Sequence, residues 1–193
     1  MKIIFATNNK NKVEEIKHLS HQKFQIFTLQ EVGIDIDIPE PHDTLEANAT
    51  EKSSTIYKLT NEAVFSEDTG LEVHALGGAP GVKSARYAGE GRNMQDNIDK
   101  LLAELKDKPS RTAQFRTVVS LIIDGKEYQF EGICKGHITH EMDGSNGFGY
   151  DPVFIPEGSN TTFANMDIAE KNKFSHRKKA VQQLIDFLNA YQA

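Results

Sequence analysis

Ala113-Gln114-Phe115-Arg116-Thr117-Val118-Val119-Ser120-Leu121-Ile122-Ile123-Asp124-Gly125-Lys126-Glu127-Tyr128-Gln129-Phe130 is the stretch that decides the architecture. Ala113, Phe115, Thr117, Val119 and Leu121 alternate toward one face, and Tyr128 and Phe130 resume the alternation beyond Asp124-Gly125. Period-two alternation broken by a two-residue Asp-Gly turn is the signature of an antiparallel β-hairpin. Upstream the pattern differs. Ile3-Ile4-Phe5-Ala6 and Ala63-Val64-Phe65 are short continuous apolar runs, as expected of strands covered on both faces. Thr7-Asn8-Asn9-Lys10-Asn11 has turn composition, Asn8 or Asn9 can cap a helix, and Val13, Ile16 and Leu19 then recur at helical spacing. Gly33 to His42, with Pro39 and Pro41, reads as an extended connection. A second helix is expected near Asp43, with Glu46 completing a capping box and Leu45, Ala49, Ile56 and Leu59 on its apolar side. Gly77-Gly78-Ala79-Pro80-Gly81 is a loop, followed by a helix that presents Met94, Ile98, Leu101, Leu102 and Leu105. The last helix starts near Ser175 and buries Val181, Leu184, Leu188 and Tyr191. A hairpin block set among alternating strands and helices makes the fold α/β, with a long bent mixed β-sheet and flanking helices.

At 193 residues the chain is long enough for one domain, or one domain with two lobes, given about 150 residues per domain. It is 38% hydrophobic and 26% charged, which is globular composition. Its 22 Lys and Arg against 28 Asp and Glu leave a net charge of −6, so its overall field does not favour a nucleic acid polymer or an anionic membrane. The single cysteine, Cys134, excludes an intrachain disulfide framework and a multi-Cys zinc site; it reads as a buried structural thiol. The opening apolar run is too short for a secretory signal, and no stretch has the length of a membrane span. A cytoplasmic protein is expected. His18, His21, His42, His74, His137 and His140 show no metal-ligand spacing and are expected at the surface or behind a site.

Four segments carry polar residues that a fold alone does not require. Thr7-Asn8-Asn9-Lys10-Asn11-Lys12 joins a buried strand to a helix, where free N–H groups attract anions; a merely capped helix with solvated lysines reads equally from the same residues. Glu67-Asp68-Thr69-Gly70 sets two adjacent carboxylates at what reads as a strand's C-terminal end, where open α/β sheets place ligands. Magnesium takes one or two carboxylates and completes its shell with water and phosphate, and Glu40, between Pro39 and Pro41, is a candidate second ligand. The alternative is a plain turn. Gly147-Phe148-Gly149-Tyr150-Asp151-Pro152 offers two rings either to a stacked base or to the core. Lys171 and Ser175-His176-Arg177 place basic side chains near a helix start, against the dipole, for an oxygen-rich ligand or for solvent.

In order and spacing these segments resemble the inosine/xanthosine triphosphate pyrophosphatase family, over nearly the whole chain. The resemblance also takes in Leu76-Gly77-Gly78-Ala79-Pro80-Gly81, Ser84-Ala85-Arg86-Tyr87 and Ala169-Glu170-Lys171. It implies magnesium-dependent cleavage of ITP, dITP and XTP to the monophosphate and pyrophosphate. It also implies a bent mixed sheet with two lobes around a central substrate cleft, and a homodimer. Carried over by position, Thr7, Asn8, Asn9, Lys10, Asn11 and Lys12 match the triphosphate cradle, with Lys52 facing phosphate. Glu40 and Asp68 match the metal ligands, Asp68 also the proton acceptor, and Thr69 a hydroxyl on the substrate. Phe148, Gly149, Tyr150, Asp151, Lys171, His176 and Arg177 match the nucleoside pocket. Asn8 stands where many relatives have Gly, and Ala47-Asn48 replaces a common Glu-Asn pair. The rival classes are a nucleotide-sensing module without turnover and a pyrophosphatase for pyrimidine or modified nucleotides. The retained Glu40, Glu67 and Asp68 argue against the first, and the Phe148–Asp151 and His176-Arg177 segments against the second.

Overall fold

A computed structural model describes residues 1–19 and 24–191. The expectation for His21 lies outside the described residues, as do the side chains of His18 and Leu19. In chain order the main elements are β1 (Lys2–Phe5), α1 (Lys10–Leu19), β2 (Gln25–Thr28), α2 (Leu45–Thr60), β3 (Val64–Val73) and β4 (Pro80–Gly81). These are followed by α3 (Met94–Glu104), β5 (Thr112–Ile123), β6 (Lys126–Ile138), β7 (Phe154–Pro156), α4 (Ile168–Phe174) and α5 (His176–Ala190). The strands form one mixed sheet in the hydrogen-bonded order β2-β1-β3-β5-β6-β7, with β4 added to β3. β1 is parallel to β2 and to β3, while β4 runs antiparallel to β3 and β7 antiparallel to β6. The hairpin turn lies at Asp124 (φ +50°) and Gly125 (φ +72°), the double left-handed conformation that a tight two-residue connection demands.

The chain divides into two compact units, one of Met1–Asp68, Thr117–Gly132 and Arg177–Ala193, the other of Thr69–Arg116 and Ile133–His176. In the first unit β1 is covered on both faces, as its unbroken apolar run requires. Ile3 and Phe5 pack with Ile16, Phe65, Val119, Leu121, Val181 and Leu184, whereas Ile4 and Ala6 pack with Leu29, Ile56 and Val64. The Phe5 and Phe65 rings stack at 4.5 Å between centroids. Tyr191 packs at the margin of the first of these clusters. The second unit has its own core, built from Leu71, Val73, Ile98, Leu101, Leu105, Phe115, Cys134, Phe154 and Phe163.

Several elements differ from the sequence expectation. The cap of α2 is Thr44, whose hydroxyl accepts from Ala47 N–H at 3.2 Å, so the helix starts one residue later than an Asp43 cap implies and Glu46 is not in capping-box register. Leu45, Ala49 and Ile56 are buried, but Leu59 in the last turn is 63% exposed; periodicity marks a face, not how far along it the core extends. Glu67-Asp68-Thr69-Gly70 does not close a strand. β3 runs on through it to Val73, because charged partners elsewhere in the chain replace the apolar neighbours a buried strand normally needs. Pro80–Gly81, read as loop, adds a short strand to β3. Two elements escape the pattern altogether: the four-residue edge strand β2 and the seven-residue α4, capped by Asp167, whose carboxylate accepts from Glu170 N–H at 2.7 Å.

Candidate active site

In the first unit, the loop after β1 is shaped by its own side chains. Asn9 Oδ1 accepts from the Asn11 and Lys12 amides at 3.1 and 3.3 Å, making Asn9 the cap of α1. Thr7 Oγ1 accepts from the Asn9 amide, and Asn8 Nδ2 donates to the Ile36 carbonyl at 2.8 Å. Asn8, Asn9, Lys10 and Asn11 are exposed, at a helix N-terminus that favours anions. One turn in, Lys12 Nζ lies 3.0 Å from Glu67 Oε1, and the Glu67 side chain is fully buried. Arg177 Nε reaches both Glu67 oxygens, at 3.1 and 3.0 Å, and Nη1 donates to Glu15. Burial raises the Glu67 pKa, but the charges of Arg177 and Lys12 outweigh it and hold the carboxyl well below the usual carboxylate range. Burial likewise lowers Arg177, and Glu67 and Glu15 more than reverse it.

A second ionic group lies in the same unit. Asn48 is buried and spends both ends of its amide on His42: His42 N–H donates to Oδ1 at 2.9 Å, and Nδ2 donates to the His42 carbonyl at 3.1 Å. That clamp fixes the Pro39-Glu40-Pro41 segment against α2. Lys52, one turn further along α2, places Nζ 2.7 Å from Glu40 Oε1 and 3.2 Å from Asp68 Oδ1. Burial lowers the Lys52 pKa, yet Asp68 and Glu40 leave it raised overall. Asp68 is raised as well: loss of solvent outweighs the attraction of Lys52 and Lys12. Asp68 Oδ2 is buried and has no hydrogen-bond partner among the described residues. A buried oxygen lone pair without a donor is costly, and a cation is one remedy. No group of three or more His, Cys, Asp or Glu able to hold a metal occurs among the described residues. The site therefore suits a hard ion that takes two carboxylates and draws its remaining oxygens from water and ligand, as magnesium does. Thr69 follows Asp68 on β3, half-buried.

In the second unit, Asp151 Oδ2 accepts from Phe148 N–H at 3.0 Å and from Lys171 Nζ at 2.8 Å. Gly147 (φ +79°) permits this: a Cβ there would lie 2.2 Å from Asp151 Oδ2. Lys171 Nζ lies 5.2 Å from the centre of the Phe148 ring and 5.4 Å from that of Phe163, within cation–π range. His176 stacks on Phe115 with centroids 4.7 Å apart. The two aromatics of the Phe148-Gly149-Tyr150 segment part company. Phe148 is half-buried, whereas Tyr150 belongs to the core and its hydroxyl donates to the Ser84 carbonyl at 2.7 Å.

Thus Lys12, Glu67 and Arg177 come together, Glu40, Lys52 and Asp68 come together, and Phe148, Asp151 and Lys171 come together. The Arg177 guanidinium engages two carboxylates of the first unit, Glu67 and Glu15. Sequence reasoning missed Glu15, although Lys12 and Glu15 share a face of α1 at i, i+3. It also missed the Asn48 clamp and the aromatic partners Phe115 and Phe163. His42, His74, His137 and His140 are exposed.

Comparison with known proteins supplies relatives along the full length. The chain is 50% identical over 190 residues to a dITP/XTP pyrophosphatase of Flavobacterium johnsoniae, covering 98% of this chain and 99% of that one. It is 52% identical over 188 residues to a dITP/XTP pyrophosphatase of Porphyromonas gingivalis, covering 97% of each. Its fold superposes on the solved structure of the Ham1 protein of Staphylococcus aureus with a TM-score of 0.91 at 37% identity, covering all of both chains. Residues 3–187 match the family model, and the chain belongs to the Ham1 family.

Proposed function

We propose that this chain hydrolyses deaminated purine nucleoside triphosphates, ITP, dITP and XTP, to the nucleoside monophosphate and pyrophosphate, cleansing the nucleotide pool. The observation that carries the reading is Asp68: a buried carboxylate with one oxygen on Lys52 and the other without a hydrogen-bond partner, in a chain half identical to dITP/XTP pyrophosphatases. Glu40 and Asp68 hold Mg²⁺. When bound, magnesium neutralises phosphate charge and makes nearby water more acidic. Thr7, Asn8, Asn9, Lys10, Asn11 and Lys12 cradle the triphosphate with helix-end N–H groups and ammonium, Lys52 faces phosphate, and the Thr69 hydroxyl touches substrate. Asp68 takes a proton from the attacking water, a role suited to a carboxyl whose pKa is raised. The water oxygen bonds to the α-phosphorus, the bond from that phosphorus to the bridging oxygen breaks, and pyrophosphate leaves.

Phe148, Gly149, Tyr150, Asp151, Lys171 and His176 serve the nucleoside. Phe148 offers a half-buried ring face, and Lys171 offers only donors. Hypoxanthine and xanthine carry an O6 acceptor there, whereas adenine carries an amino donor. Arg177 binds substrate too, and its pairing with Glu67 also fixes that carboxylate and through it Lys12. Residues 1–193 work as one domain, as a cytoplasmic homodimer without nucleic acid polymer or membrane partners. The net charge of −6 supports the last point. The test is pyrophosphate release from ITP, dITP, XTP, dUTP, ATP and GTP with magnesium. Release confined to the first three is expected; equal use of ATP, or binding of dITP without turnover, overturns the reading.

A further inference from the structure

Lys52 Nζ sits between the two carboxylates assigned above to the metal, 2.7 Å from Glu40 Oε1 and 3.2 Å from Asp68 Oδ1. It is 7% exposed, and among the described residues these are its two hydrogen-bond acceptors. An ammonium carries three donors, so one remains to be used. We infer that Lys52 is a built-in cation that holds the metal carboxylates while no substrate is present, and that the divalent ion gains its full hold on Glu40 and Asp68 only when a triphosphate arrives to receive the ammonium. This rests on the reading of Glu40 and Asp68 as metal ligands.

The physical reason is charge. Two carboxylates and one ammonium leave a single negative charge in a region poor in water, where like charges repel far more strongly than in solvent. An ion with oxygens at about 2.0–2.1 Å, held by both carboxylates, sits beside the ammonium already bound to them, and the two cations repel. A triphosphate removes the conflict by giving Lys52 new acceptors. Metal and triphosphate therefore assist each other, and reciprocally so. The order of events follows: the ion arrives with, or after, the phosphates.

The experiment titrates the metal-free full chain with Mn²⁺, followed by the electron paramagnetic resonance of the free ion, and with Mg²⁺ by calorimetry. Each titration is run with and without the α,β-methylene analogue of dITP. Lys52→Met is expected to bind Mn²⁺ alone more tightly than the unaltered chain, by about 5- to 150-fold. The same variant should bind the analogue less tightly. A merely structural lysine would weaken both when removed, so opposite signs are the signature. Lys52→Gln, which keeps a polar head, repeats the measurement should the Met variant not fold. Equal or weaker Mn²⁺ binding in both variants overturns the exchange. Glu40→Gln and pyrophosphate release from dITP separate the two readings. If dITP is hydrolysed and Glu40→Gln loses metal, failure of the Lys52 variants sinks this inference alone. If dITP is not hydrolysed, the functional reading falls and this inference falls with it.

Discussion

The two units bury charge in opposite ways. In the first, Glu15, Glu40, Glu67 and Asp68 face Lys12, Lys52 and Arg177, four negative charges against three positive. In the second, Asp151 and Lys171 pair among the rings of Phe148 and Phe163. A lattice of ion pairs can exchange partners with a highly charged ligand, because each group already has a counter-charge and only the pairing changes. An ion pair under aromatic faces suits a flat ligand with few polar edges, where stacking supplies area and one or two hydrogen bonds supply selectivity. The contrast also separates neighbours. Glu67 and Asp68 are adjacent in sequence, yet one is held ionised by two cations while the other is left raised, with an oxygen to spare.

The contrast can be broken most directly at Asp68. Asp68→Asn should lower pyrophosphate release by ~10²–10⁴-fold with the fold intact, since general-base loss alone has that magnitude. Near-normal turnover at saturating magnesium would show that Glu67 and Asp68 have been assigned the wrong way round. Next in size is Arg177→Ala, which takes the guanidinium from two carboxylates and leaves Glu67, whose side chain has no solvent, to Lys12. It should cost about 3–5 kcal/mol of stability in urea unfolding, as loss of one partner of a buried pair does. A stable Arg177→Ala chain with a collapsed preference for dITP over dATP would instead move Arg177 to the nucleoside side of the comparison.

Lys171→Met sharpens the second unit. It takes the Lys171 cation from buried Asp151 and should raise the KM for dITP roughly 5- to 150-fold, from loss of one charged hydrogen-bond partner at about 1–3 kcal/mol. Inorganic tripolyphosphate, which has no base, should inhibit the variant and the unaltered chain alike; unequal inhibition would place Lys171 on the phosphates.

The smallest effect is in pH. The Glu67 pKa is lowered on folding, so the unfolded chain takes up its proton near 4.5 while the folded chain does not. Stability from Glu67 is thus complete above 4.5 and is lost as pH falls toward the depressed folded value. One carboxylate contributes a slope of at most about 1.4 kcal/mol per pH unit. Asp68, raised above 3.8, has the opposite sign: its contribution is present at low pH and lost as pH rises. Urea midpoints of Glu67→Gln should therefore fall less steeply below pH 4.5 than those of the unaltered chain. Parallel curves would mean that Glu67 is not held by Arg177 and Lys12 in solution.

Legibility in the sequence followed the range of the interaction. The Asp124-Gly125 turn, the caps near Asn9 and residues 43–44, and the buried faces of α2 and α3, apart from the exposed Leu59 and Met94, are set within a few residues and were readable there. β2 was not, because a four-residue edge strand with half-buried side chains carries little pattern. Nor was the run of β3 through Glu67-Asp68, since a buried charged strand is tolerable only when partners from elsewhere neutralise it. Among the site residues, the sequence marked the segments that carry Glu40, Lys52, Asp68, Phe148, Asp151 and Lys171, but not which of them touch.

By itself, then, the sequence determined the hairpin, most helices, the mixed α/β class and the family likeness. These depend on backbone periodicity, turn stereochemistry and ordered motifs, all local to the chain. Only the tertiary structure decided that Arg177 meets Glu67, 110 positions away, rather than the residues of its own neighbourhood, and that Lys52 lies between Glu40 and Asp68. Any of the chain's 28 acids can satisfy a buried cation chemically; which one does is fixed by the strand order and helix register that bring it within about 3 Å.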